Sequence, residues 1–169
     1  MNAAKAIELC YARTLRKYAE LGANVKIRPW QSLRDDGSWK HTAKEGDRRF
    51  PCVDIRCAPP SGREDTGVNF DGTCIITCAH IADEDKDHAL TSAMFEEVEK
   101  VLLRIFAQWW QNDATGAERA YWDAQWADLL GANYALNGIT NGEPVPPDDG
   151  DNLLMIGASQ IISYTRADI

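Results

Sequence analysis

The chain has 169 residues, 44% of them apolar and 26% charged, with a formal net charge of -8. At this size the folded surface is roughly 8,000 Å² against roughly 27,000 Å² for the extended chain, so about 70% can be buried and a core needs no disulfide staples. Five cysteines (Cys10, Cys52, Cys57, Cys74, Cys78) with no secretory leader point to buried thiols in a reducing compartment, and no apolar run approaches the roughly 20 residues that span a bilayer.

Ala4, Ile7, Tyr11, Thr14, Leu15, Tyr18 and Leu21 recur at three- and four-residue steps before Gly22, which predicts an amphipathic helix over residues 3–21. Residues 24–30 alternate apolar with basic and predict a half-exposed strand that ends near Pro29. Residues 31–49 have no period and form a long polar loop with one aromatic, Trp39. Residues 50–57 predict a second strand, with Val53, Ile55 and Cys57 against Asp54 and Arg56. Phe70 and the β-branched run 73–81 predict a third, paired with the second as an antiparallel hairpin.

Asp83-Glu84-Asp85-Lys86-Asp87 puts negative charge where a helix N-terminus favours it. Leu90, Met94, Val98, Val101, Leu102, Ile105 and Trp109 then track one stripe of a long helix over about residues 87–110. Residues 113–130, with Ala117, Tyr121, Ala124 and Trp126 near helical steps, predict a shorter helix inside a Trp-rich insertion at 111–131. Residues 133–151 are turn-rich, with at most a short strand at 136–140, and Leu153–Thr165 closes the chain as a strand. The whole is one α+β domain spanning 1–169: an antiparallel sheet of four to five strands packed against the N-terminal and long central helices. Such a sheet has two edges, which makes edge-to-edge addition between copies available.

The charge is divided unevenly. Residues 1–63 hold 13 Lys and Arg against 7 Asp and Glu, a net +6, and residues 64–169 hold 5 against 19, a net -14. Copies packed basic part to acidic part would be self-complementary, a head-to-tail contact that closes into a ring; an uneven solvated surface is the plainer reading. Nucleotide-loop, zinc-protease, nucleophile-elbow and EF-hand motifs are all missing from the sequence. Cys52, Cys57, Cys74 and Cys78 with His80 suggest a zinc-binding enzyme or regulator, yet Cys52 and Cys57 point to opposite faces of a straight strand, which favours core thiols. His41, His80 and His88 have no fixed partner for nucleophilic catalysis, so no catalytic residue is assigned. Lys26, Arg28, Arg34, Lys40, Lys44, Arg48 and Arg49, interleaved with Trp30 and Trp39, form a basic-aromatic cluster suited to nucleic acid or to a neighbouring subunit.

The order of parts resembles the bacteriophage tail-terminator or tail-completion family. An opening helix, the strand at Phe50-Pro51-x-Val53-x-Ile55, Asp71-Gly72 with the strand through His80, the long helix from Asp87 and the closing strand Ser159 to Arg166 carry the likeness. The resemblance implies a structural virion protein without catalysis or cofactor, made in the host cytoplasm. It implies a ring, hexameric in the family, that caps the tail tube, contacts the tube and head-completion or neck proteins, and lets DNA pass without binding it. Another neck or connector component is the alternative. An acidic lumen repels phosphate, which makes Asp83, Glu84, Asp85 and Asp87, with Asp148, Asp149 and Asp151, the candidate lumen residues. Arg34, Trp39, Lys40, Arg48 and Arg49, with Trp122 and Trp126, are the candidate subunit contacts.

Overall fold

The computed structural model describes residues 1–27, 49–62, 67–106, 113–148 and 153–168, with the side chains of 113–116 and 146–148 set aside. The expected loop at 31–48, the strand end at 28–30 and the stripe residue Trp109 therefore lie outside the described residues.

Helix α1 (Ala3–Leu15) is capped by Asn2, whose side chain accepts from the Lys5 amide at 2.8 Å. It ends six residues before the expected stop. The apolar spacing runs on to Leu21 because a succession of turns keeps Tyr18 and Leu21 against the same core, with the Gly22 amide donating to the Tyr18 carbonyl at 2.8 Å. Helix α2 (Ala89–Phe106) follows the predicted stripe through Met94, Val98, Val101, Leu102 and Ile105. Helix α3 (Asp113–Leu130) matches its predicted span and stops at Gly131, whose φ of 74° is the left-handed conformation that glycine adopts freely.

The strands are β1 (Val25–Ile27), β2 (Cys52–Cys57), β3 (Ser61–Gly62), β4 (Asn69–Ile81), β5 (Tyr134–Asn141), β6 (Val145–Asp148) and β7 (Leu153–Arg166). They make one sheet in the order β1-β2-β4-β7-β5. Strand β3 continues the row of β2 along β4, and β6 continues the row of β5 along β7, so seven strands occupy five rows. The β2–β4 hairpin pairs antiparallel as expected, with Val53 opposite Cys78 and Cys57 opposite Cys74. One pairing departs from the antiparallel expectation: β1 runs parallel to β2, with Val25 opposite Val53. Parallel neighbours require a long crossover, and 24 residues separate Ile27 from Cys52. Strand β6 forms where Pro144, Pro146 and Pro147 predict a loop; it lies on an edge, where a missing amide costs no ladder bond.

Gly72 lies inside β4 and not in a turn ahead of it. A Cβ there would sit 2.8 Å from Ile7 Cδ1, so a larger residue would push that side chain of α1 aside. The three helices of the described residues cover one face. Helix α1 lies over β1, β2 and β4, α2 over β4, β7 and β5, and α3 packs against both helices and reaches β5. The main core joins Ile7, Tyr11, Leu15, Ile55, Ile76, Val98, Ile105, Trp122, Ile139, Ile162 and Tyr164. A smaller cluster on the opposite face joins Phe50, Cys52, Ala79, Ile81 and Leu153.

Trp122 and Trp126 are therefore not subunit contacts within this fold. Trp122 is fully buried and Trp126 nearly so; their rings stack at 5.8 Å, and Tyr11 meets Trp122 edge-on at 5.6 Å. A five-row sheet under three helices has room for both rings, and the Trp126 indole N–H donates to the Tyr134 carbonyl at 2.9 Å. The buried stripe of α3 runs Glu118, Trp122, Trp126 with half-buried Leu129; it keeps Trp126 of the expected stripe but leaves Ala117 and Ala124 exposed. The polar Glu118 hid the true stripe. It is buried against Tyr18, whose hydroxyl donates to it, and Arg104, whose guanidinium lies 3.2 Å away.

Candidate assembly surfaces

After β4 the chain turns through Ala82–Glu84 and Lys86–His88 into α2, with Asp87 and His88 both at φ 56°. Asp83, Glu84 and Asp87 are exposed there. Asp85 is not. It is buried and takes the first free amides of α2, accepting from Leu90 N at 2.8 Å, from Thr91 N at 2.9 Å and from the Thr91 hydroxyl. Burial disfavours its charge, but the Thr91 and Leu90 donors, with His80 close by, outweigh that and hold the carboxyl below its ordinary value of 3.8.

A carboxyl whose folded value is depressed contributes stability that is present above the ordinary value and lost as the pH falls through the folded one. Asp85→Ala is thus expected to cost about 1–2 kcal/mol at neutral pH, with the difference from wild type shrinking below about pH 4. Asp83→Ala and Asp87→Ala should stay within about 0.5 kcal/mol. Urea titrations at pH 7 and pH 3.5 check this, and equal losses at all three positions would sink the capping role.

Asp148 lies in β6 opposite Met155, while Asp149 and Asp151 lie outside the described residues. So do Arg34, Trp39, Lys40 and Arg48. Arg49 is half-buried, with its carbonyl accepting from Lys26 Nζ at 2.9 Å and its guanidinium 5.9 Å from the Phe50 ring. That bond closes the two ends of the basic stretch on the β1 side of the sheet.

The cysteines divide as the strand alternation requires. Cys10, Cys57, Cys74 and Cys78 belong to the core under the helices and Cys52 to the cluster on the other face, all five buried and none in a disulfide. Among the described residues no group of three or more His, Cys, Asp and Glu side chains is placed to hold a metal ion. Burial pushes the Cys10 and Cys78 thiols up from 9.0 to about 12. A folded value above the unfolded one favours the native state below pH 9 and loses that advantage as the pH climbs from 9 toward 12. Stability should fall by up to about 1.4 kcal/mol per thiol per pH unit across that window, read as Tm against pH, and a Cys10→Ala, Cys78→Ala variant should show a shallower fall. A flat profile to pH 11 would contradict it.

Among the described residues both ends of the sheet are edges. Among the described residues β1 pairs only with β2, and β5 and β6 pair only with β7. The second edge carries a feature invisible in sequence. Where the row breaks between β5 and β6, the Gly142 amide donates to the Ser159 carbonyl at 2.8 Å, and the Ser159 hydroxyl donates to the Glu143 carbonyl at 2.7 Å. A Cβ on Gly142 would stand 2.4 Å from Ser159 Oγ, so a larger residue there would have to turn that hydroxyl away from the Glu143 carbonyl. Between the bend and α2 lies a groove of about 120 Å³, walled by Leu102, Leu103, Pro144 and Ala158. Its floor is Gln160, whose Oε1 accepts from Tyr11 OH at 2.5 Å and whose Nε2 donates to the Leu102 carbonyl and Asn141 Oδ1, each at 2.9 Å. A buried amide with every bond made cross-links α1, α2, β5 and β7 and holds the groove rigid.

No family model matches the chain, and no curated protein matches it. Among the described residues no helix is long and apolar enough to cross a membrane.

Proposed function

We propose that this chain is a structural virion protein that forms a ring, hexameric as in the family it resembles, terminating a phage tail tube and joining it to the head. The observation that supports the reading is a single sheet whose two edges lie in parts of the chain with opposite net charge. Edge strand β1 lies in the third of the chain with net charge +6, and β5 and β6 lie in the part with net charge -14. Opposite net charge in the two parts of the chain favours a heterologous contact between copies, and such contacts generate rings when the rotation closes. The tube protein and head-completion proteins are the other partners in this reading.

Asp83, Glu84 and Asp87 are exposed, and a lumen lined by them would repel the phosphates of passing DNA and leave it free to slide. Asp85 is withdrawn from that role by its place on α2. The test is native mass spectrometry of the purified chain across concentration, together with immunogold labelling of intact particles. Label confined to the junction of head and tail and a closed assembly of identical chains support the reading; particles unlabelled at that junction overturn it. Reversing Asp83, Glu84 and Asp87 to Lys should leave assembly intact and retard DNA ejection, and unchanged ejection would remove the lumen assignment.

A further inference from the structure

We infer that Asn137 is a site of spontaneous covalent modification, at which the side-chain amide is lost to attack by the Gly138 backbone nitrogen and the residue becomes aspartate or isoaspartate. The inference is independent of the ring reading and rests on a contrast within one strand. Strand β5 carries two Asn-Gly pairs, Asn137-Gly138 and Asn141-Gly142. Asparagine is among the chemically labile residues, and a following glycine hinders the reaction least, because it puts no Cβ beside the attacking nitrogen and leaves the backbone free to turn.

The reaction needs only solvent water. The Gly138 nitrogen bonds to Asn137 Cγ and closes a succinimide ring, while the Cγ to Nδ2 bond breaks and the side-chain nitrogen leaves as ammonia with the proton of the Gly138 amide. Water then opens the ring. Opening at Cγ gives aspartate, and opening at the main-chain carbonyl carbon gives isoaspartate. Either product puts a carboxylate on a strand whose residues are all uncharged. Isoaspartate also adds a methylene to the main chain, a length that a bulge absorbs with the least loss of pairing.

The fold separates the two pairs. The register passes from Leu136 opposite Tyr164 to Gly138 opposite Ser163, which leaves exposed Asn137 as the extra residue of a bulge. A bulge disrupts the ladder locally, so the backbone there turns at less cost than in the paired strand. A Cβ on Gly138 would meet nothing within 4 Å, which leaves room for the ring to close. The Asn137 side chain donates to Thr165 Oγ1 at 2.8 Å, an exposed bond that water replaces readily. Asn141 differs on each count. It pairs in register with Gln160, and its Oδ1 accepts from the Nε2 of that buried side chain at 2.9 Å. Gln160 is itself fixed by Tyr11 and the Leu102 carbonyl, and the Gly142 amide is committed to the Ser159 carbonyl at 2.8 Å. Both reacting groups of the second pair are therefore held apart.

The experiment incubates the purified, folded full chain in warm, mildly alkaline buffer and separates the acidic species by ion exchange. Peptide mass spectrometry with electron-transfer fragmentation then locates the change and tells isoaspartate from aspartate. Conversion at Asn137 several-fold faster than at Asn141 is the expected result. The same incubation in urea removes the fold's distinction and should bring the two rates together. Conversion of Asn141 in the folded chain as fast as that of Asn137, or conversion of Asn137 only after unfolding, overturns the assignment. Gly138→Ala identifies the nucleophile. The added methyl has open space in the fold, so the variant should fold as the wild type does and lose conversion at position 137 several-fold. An unchanged rate in that variant would overturn attack by the Gly138 nitrogen.

Discussion

Replacing Trp122 by Ala is expected to lower unfolding free energy by about 3–5 kcal/mol, the usual cost of emptying a large aromatic site. Trp122 is fully buried, edge-on to Tyr11 and stacked on Trp126, which in turn lies 5.4 Å from Tyr164. Its removal opens a cavity where α1, α3 and the sheet meet, and rigid neighbours collapse into such a space only in part. Trp122→Phe is the informative companion. The Trp122 indole N–H is buried without a hydrogen-bond partner among the described residues, so Phe removes an unsatisfied donor along with part of the ring. Its loss should be clearly smaller than that of the Ala variant. Urea unfolding followed by far-UV circular dichroism checks both, and a loss under about 1 kcal/mol for Trp122→Ala would mean that α3 is no part of the core.

Gly157→Ala is expected to cost about 3 kcal/mol, at the upper end of what overpacking does. Gly157 pairs with Thr77 in the middle of the long β4–β7 ladder. A Cβ there would stand 2.5 Å from the Ile76 carbonyl oxygen and 3.0 Å from Thr77 Cα. Both are backbone atoms, so no rotamer change relieves the clash and the two strands must part. Because Val145 of β6 also pairs with Gly157, the groove edge should loosen with the ladder. A drop in Tm with faster amide exchange across β4, β6 and β7 is the expected result; stability within about 0.5 kcal/mol of wild type would contradict it.

Much of the architecture was legible in the sequence because it is written in local periodicity. The α2 stripe, the alternation of Val53, Ile55 and Cys57, and the β-branched run into Ile81 each repeat at the period of the element they form. The same alternation put Cys52 and Cys57 on opposite faces, as the two core clusters show. Where reading failed, a residue served a distant partner. Asp85 looked like one more surface acid of a helix N-terminus until its oxygens met Leu90 and Thr91. Trp122 and Trp126 looked surplus to a small sheet until three helices were seen to share one face.

The sequence alone determined the three helices and strands β1, β2, β4, β5 and β7, that the class is α+β, and that charge separates along the chain. Those properties depend on neighbours within a few residues or on simple counts. Only the tertiary structure decided that β1 runs parallel to β2, that Pro-bearing residues 145–148 extend an edge, and that a rigid groove opens beside them on the edge farthest from β1. Each of these is a pairing between residues far apart in the chain. Its free energy comes from burial and hydrogen bonds that exist only once the sheet has closed, so no local pattern records it.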